Sequence, residues 1–154
     1  MRICFFGHRD SYITQEARDG LFRTITELTD RDDCDFYFGG YGSFDDLAYR
    51  CVKKTSSPNK IKTIFATPYI TEHYQKNILE SLKYKYDMIV YPEIEKTPYR
   101  YAISARNKWI IDNSDLVICY INHPFGGAFS AVKQAIGKGK TIINFGTAEI
   151  KKDG

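Results

Sequence analysis

The chain has 154 residues, of which 43% are hydrophobic and 27% charged, with a net charge of +3, values that suit one soluble domain around a single core. Its 22 Lys and Arg stand against 19 Asp and Glu and are scattered at element ends, which counts against a dedicated nucleic-acid groove. There is no run of about 18 apolar residues and no signal peptide, and Cys4, Cys34, Cys51 and Cys119 lack CxxC spacing, so a reducing cytoplasm is expected and a structural zinc site is not.

Arg2–Phe6 is a continuous apolar run, the mark of a strand covered on both faces. It ends at the polar turn Gly7, His8, Arg9 and Asp10. Thr14 is placed to cap a helix over about 15–29, with Ala17, Leu21, Ile25 and Leu28 at helical spacing. Asp35–Phe38 reads as the second strand and ends at Gly39, Gly40, Tyr41, Gly42 and Ser43. Ser43 followed by Asp46 resembles a capping box and predicts a helix over 44–54. Ile61–Ala66 is the third strand, and a helix near 71–83 should follow with Ile70, Tyr74, Ile78 and Leu82 on one stripe. Asp87–Tyr91 is the fourth. Pro98 then opens a helix near 99–113, with Ala102, Ile103, Trp109 and Ile110 as core candidates. Asp115–Ile121 is a buried fifth strand, and a short loop leads from it to a helix opening on Gly126, Gly127 and Ala128. Lys140–Phe145 is the last strand, followed from 147 to 154 by a polar tail expected to fray.

Strands joined by helices pair in parallel, so the expected fold is α/β: a single doubly wound, mostly parallel, Rossmann-like sheet of about six strands over residues 1–146, with helices on both faces. Ligands of such sheets bind beyond the carboxyl ends of the strands, at the topological switch point. The loops at Gly7, Gly39–Ser43 and Gly126–Ala128 all fall on that edge. A strand feeding a glycine pair at a helix start presents backbone N–H groups that an anion can approach closely, and the helix dipole favours it. Gly126–Gly127 is therefore read as half of a phosphate cradle.

Individual residues leave alternatives open. Gly39, Gly40 and Gly42 make either a tight turn or a second anion loop. The pattern is neither a Walker loop nor G-x-G-x-x-G, which disfavours ATP hydrolysis and NAD redox chemistry. Arg9 is either a phosphate fork or a surface arginine, and His8 either a hydrogen-bonded turn residue or a ligand contact. His73 and His123 lack partners at metal-ligand spacing, so no metal is expected. Arg106, next to Asn107 in a half-buried helix, needs a partner, because an unpaired buried charge is costly. Asp115 or Asp45 would satisfy it structurally and a ligand phosphate functionally; the ligand is favoured. The 12 tyrosines serve either stacking or an oligomer interface.

Phe6–Asp10, Gly39–Gly40 before a helix, Arg106 with Asn107, Ser114–Ile118 and Gly126–Gly127 fall in an order similar to the SLOG superfamily. This Rossmann-like group contains the Lonely Guy phosphoribohydrolases and the DNA-processing protein A family. The resemblance covers roughly residues 2–146 and is nearest to small bacterial and phage members. It implies a nucleotide or nucleotide-derived ligand at the carboxyl edge of the sheet, and a homodimer or larger assembly. The hydrolases carry Pro-Gly-Gly-x-Gly-Thr-x-x-Glu beside an upstream arginine, which Arg106 matches. In this chain Gly126 and Gly127 match the glycine pair, Phe129 replaces the third glycine, Ser130 the threonine, and Lys133 the glutamate. An oxocarbenium-like transition state needs a negative group there, which a lysine opposes. Whether the chain is an enzyme is thus left open.

The expected function is binding of a nucleotide or nucleotide-derived signal, cyclic ones included, by a sensor or sequestering protein without a cofactor. Gly39, Gly40, Gly126, Gly127 and Ser130 would donate to phosphate, with Gly7, His8, Gly42, Ser43, Asn107 and Ala128 on the same loops and elements. Arg9 and Arg106 would neutralise charge, and Tyr41, Phe44 or Phe129 would stack on the base. The alternative is a nucleoside monophosphate N-glycosidase whose carboxylate comes from Asp10, Asp45, Asp46 or Glu93. Single-stranded DNA binding is a weaker alternative, which the dispersed charge counts against.

Overall fold

Side chains of β1 (Arg2–Gly7) alternate between two cores, Ile3 and Phe5 facing one and Cys4 and Phe6 the other. Burial on both sides is the reason Ile3–Phe6 are all apolar. The computed structural model describes residues 1–40, 42–68, 71–94 and 96–150. Within them β2 (Cys34–Phe38), β3 (Ile61–Ala66), β4 (Met88–Val90), β5 (Leu116–Tyr120) and β6 (Thr141–Asn144) join β1 in a six-stranded sheet of order β4-β3-β2-β1-β5-β6. Every pairing is parallel. The sheet is the doubly wound α/β arrangement that the strand–helix alternation predicts.

One face is covered by α1 (Gln15–Arg31) and α2 (Gly42–Lys54), through Ala17, Leu21, Ile25, Phe44, Ala48 and Val52. Thr14 caps α1 as expected, its hydroxyl accepting from the Ala17 N–H at 3.2 Å. The capping box expected at α2 does not form. Its helix starts earlier, at Gly42; the Ser43 hydroxyl donates to the Ser11 carbonyl at 3.0 Å and Asp46 pairs with Arg50. Ser43 therefore joins two loops instead of closing a helix end.

Between β3 and β4 the chain forms α3 (Glu72–Tyr74), a π-helical turn over Gln75–Leu79, and α4 (Glu80–Leu82). The widened turn moves the inward position by one residue. Leu79 is buried and Ile78 is 40% exposed, while Tyr74 and Leu82 pack inward as expected. Ile70, the first residue of the expected stripe, lies outside the described residues.

On the other face, a 3-10 turn at Tyr99–Tyr101 leads into α5 (Ala102–Asp112), which packs beside α6 (Gly127–Gly137). An ion pair between Asp112 and Lys138 ties the ends of these two helices. Ile110, Ile111, Ala131, Val132 and Ala135 fill this core with Val117, Cys119 and Ile121. Residues 147–150, expected as tail, are held in place: the Ala148 N–H donates to the Ile121 carbonyl at 2.9 Å and its carbonyl accepts from Asn144. The cysteines are buried free thiols. Among the described residues, no helix is long and apolar enough to cross a membrane.

Candidate functional site

β1 and β5 are neighbours, with Gly7 beside Tyr120 at their carboxyl ends. The chain leaves β1 for α1 on one face and β5 for α6 on the other, so the two loops diverge and open a crevice. A cleft of about 550 Å³ occupies it. The β1 loop supplies His8, Arg9, Asp10 and Ser11, the β5 loop His123, Phe125 and Gly126, and α5 the side chains of Ile103, Arg106 and Asn107. Gly39 and Asp45 close the side towards β2.

The β1 loop is anchored at several points. The Tyr120 hydroxyl donates to the Tyr12 carbonyl at 3.1 Å, and Ser43 reaches Ser11 through its hydroxyl and Arg9 through its N–H at 3.3 Å. The Asn122 N–H donates to His8 Nε2 at 3.1 Å, which places the ring proton of a neutral His8 on Nδ1. His8 lies flat on His123, with ring centroids 3.5 Å apart and planes within 16°. His123 in turn stacks on Phe125 at 3.9 Å and 22°. Burial, and then the neighbouring His123, lowers the His8 pKa, which favours the neutral form of that imidazole.

Arg106 is only 2% exposed. Its Nη1 donates to the carbonyls of Gly39 at 3.1 Å and Ala66 at 2.9 Å, and its Nε to Asn107 Oδ1 at 3.0 Å. Asp115 plays no part in this. It sits at the opposite, amino end of the sheet, where its carboxylate accepts from the Arg2 N–H at 2.9 Å and is held below the usual pKa range chiefly by that bond. Asp45 is nearly buried and accepts from the Gly40 N–H at 3.1 Å. Burial pushes its carboxyl up to about 7, against the opposing pull of the Gly39 and Gly40 N–H groups, Arg106 and Lys85. A carboxyl that takes up and releases a proton near neutrality thus stands in the wall of the cleft.

Of the expected site residues, Gly7, His8, Arg9, Gly39, Asp45, Arg106, Asn107, Gly126, Gly127 and Ala128 line the cleft. Gly40, Gly42, Ser43, Phe129 and Ser130 stand outside its lining; Phe129 is half-buried against the α5–α6 core and Ser130 is exposed. Phe44, expected to stack on a base, is instead a core side chain behind Gly7, stacked on Tyr120 with centroids 5.8 Å apart. Tyr41 lies outside the described residues. Among the alternative carboxylates, Asp10 and Asp45 border the cleft, whereas Asp46 is engaged with Arg50 and Glu93 is exposed elsewhere. Lys133 is half-buried on α6 and does not line the cleft.

The chain superposes on DNA processing protein A from Streptococcus pneumoniae with a TM-score of 0.64 at 14% identity, covering 93% of this chain and 49% of that one. DNA processing protein A from Helicobacter pylori, described for its single-stranded DNA binding mode, gives a TM-score of 0.65 at 18% identity over 99% of this chain and 68% of that one. These likenesses show that the chain shares their Rossmann-like fold. The Moco carrier protein of Chlamydomonas rheinhardtii is a more distant likeness, with a TM-score of 0.51 at 10% identity over 95% of this chain and 76% of that one. No protein-family model and no curated protein matches the chain. It spans about half the length of the Streptococcus pneumoniae protein.

In this Rossmann-like fold the residues missed by the sequence reading are those of the aromatic column, His123 and Phe125. They lie 115 and 117 positions from His8, and nothing in their local sequence couples them to it. The available signal was topological: once β1 and β5 are placed side by side, the residues following each strand must meet.

Proposed function

We propose that this chain binds a nucleotide or nucleotide-derived small molecule in the cleft between the β1 and β5 loops. One observation carries the reading. A cleft of about 550 Å³, within the usual range for small-molecule sites, is lined both by the amino end of α6 at Gly126–Gly127 and by a flat aromatic wall at His123 and Phe125. The first turn of a helix has N–H groups without intrahelical partners and a positive dipole end, which suits phosphate. Arg9, on the facing loop, supplies positive charge at the cleft, and Arg106 donates to backbone carbonyls and serves as counter-charge to Asp45.

Mass spectrometry of small molecules released from the purified, heat-denatured protein tests this, with Arg9→Ala prepared alongside. A nucleotide or nucleotide derivative carried by wild type and reduced in the variant is the expected result. Failure to carry one, together with failure to bind any added nucleoside monophosphate in calorimetry, would sink the reading.

A second reading is favoured by Asp45. A carboxyl near neutrality in the cleft wall suits acid–base work, and hydrolysis of a nucleoside monophosphate to free base and ribose 5-phosphate could use it. Release of free base by wild type and its loss in Asp45→Asn would select this reading. Single-stranded DNA binding rests on the fold shared with DNA processing protein A; a steep loss of oligonucleotide affinity with salt would support it.

A further inference from the structure

We propose that the outer face of Phe125 seats a planar heteroaromatic ring of the ligand, as the fourth layer of the column His8–His123–Phe125. This rests on the small-molecule reading above and assigns the ring end of that site. The lower layers are already parallel, at 3.5 Å and 16° and then at 3.9 Å and 22°. Phe125 remains 64% exposed at the end of the pile while bordering the cleft. An aromatic ring held against a partner has lost its rotational freedom before any ligand arrives, so a ring landing on it costs less to order.

The column is anchored through its base. His8 is fixed by the Asn122 N–H on Nε2 at 3.1 Å, so the pile bridges the two loops that diverge at the switch point. Its open end also lies at the anion-binding end of the cleft. Gly126 follows Phe125 directly, and nothing comes within 4 Å of a Cβ built on Gly126 or Gly127. A ligand with a flat ring at one end and an anionic group at the other is therefore met by consecutive residues of one loop. Of the aromatics expected to stack, Phe44 is sealed in the core, Phe129 is packed on the core that α5 and α6 share, and Tyr41 lies outside the described residues.

Calorimetric titration of wild type, Phe125→Ala and Phe125→Tyr with AMP, GMP, CMP, UMP and ribose 5-phosphate tests the assignment. Ribose 5-phosphate keeps the phosphate and sugar and lacks the ring. At least one nucleotide should bind wild type roughly 5- to 100-fold tighter than ribose 5-phosphate, the usual worth of a base stacked on an aromatic side chain. Phe125→Ala should erase that preference and leave ribose 5-phosphate affinity unchanged, and Phe125→Tyr should restore it. Thermal melting confirms that both variants fold, which the exposure of Phe125 makes straightforward. A full nucleotide preference in Phe125→Ala, or equal binding of ring and ring-free compounds by wild type, overturns the assignment while the small-molecule site stands. Binding of none of the compounds by wild type overturns both.

Discussion

The guanidinium of Arg106 donates to the carbonyl of Gly39 at 3.1 Å, just past the end of β2, and the same nitrogen reaches the Ala66 carbonyl at the end of β3. One buried cation thus holds two strand ends at the edge of the cleft. Arg106→Ala should leave those carbonyls unpaired and deprive Asp45 of its counter-charge, at a cost of about 3 kcal/mol. Arg106→Lys keeps the charge but lacks the planar fork and should cost roughly half as much. Urea denaturation reads both. A loss below about 1 kcal/mol in Arg106→Ala would show that the guanidinium is not a strut.

Asp45 makes stability depend on pH in an unusual direction for a carboxylate. Its pKa rises from 3.8 to about 7 on folding, chiefly through burial, so between these values the native state holds a proton that the unfolded chain releases. Its contribution is greatest in acid and is lost as pH rises through the folded pKa, a difference of roughly 4 kcal/mol across the window. Asp45→Asn can still accept from the Gly40 N–H and has no charge to bury. Relative to wild type it should gain stability steadily from pH 4 to pH 8, measured by denaturation at each pH. A pH-independent difference would place the Asp45 pKa at its ordinary value.

The sheet and its switch point were legible because they depend on local patterns: apolar runs at Ile3–Phe6 and Leu116–Tyr120, and helical spacing in α1. The cleft loops followed from topology. What escaped depended on geometry that no window of sequence contains. The π-helical turn moved the buried position from Ile78 to Leu79 because a single widened turn breaks the helical period. Phe44 was expected to stack on a base from the start of a helix over 44–54, but α2 begins at Gly42 and turns that side chain into the core. Arg106 was recognised as needing a partner, yet two of the groups it donates to are the backbone carbonyls of Gly39 and Ala66, which carry no side-chain signature.

Glycines at the cleft should separate into structural and ligand-facing classes. Gly40 has φ +75°, and a Cβ there would lie 2.6 Å from the Phe65 ring, so Gly40→Ala should cost about 3 kcal/mol or more. Gly127 starts α6 with open space around it, and Gly127→Ala should change stability by less than about 1 kcal/mol, with helix propensity in its favour. The same methyl would intrude on an anion approaching the backbone. Gly127→Ala is therefore expected to keep the wild-type melting temperature and weaken phosphate-bearing ligands, as read by calorimetry. Unchanged affinity would remove the α6 amino end from the site.

The histidine column should respond to acid in the opposite sense to Asp45. His8 is held below its ordinary pKa of 6.5 by burial and then by His123, so the unfolded chain takes up a proton that the native state resists. The stability this group contributes is present above 6.5 and falls as pH drops through that value and towards the folded pKa. Arg9, Asp10, Asp45 and Arg106 are the charged groups that line the same cleft. A proton on Nε2 would also face the Asn122 N–H, donor against donor, and loosen the base of the column. NMR titration should therefore find His8 below 6.5, and His123→Ala should move it back up. Because Phe125 rests on the same pile, nucleotide affinity should decline in acid in wild type and less so in His123→Ala. A His8 pKa at or above 6.5 would mean that the imidazoles do not stack in solution, and the acid sensitivity of binding should vanish with it.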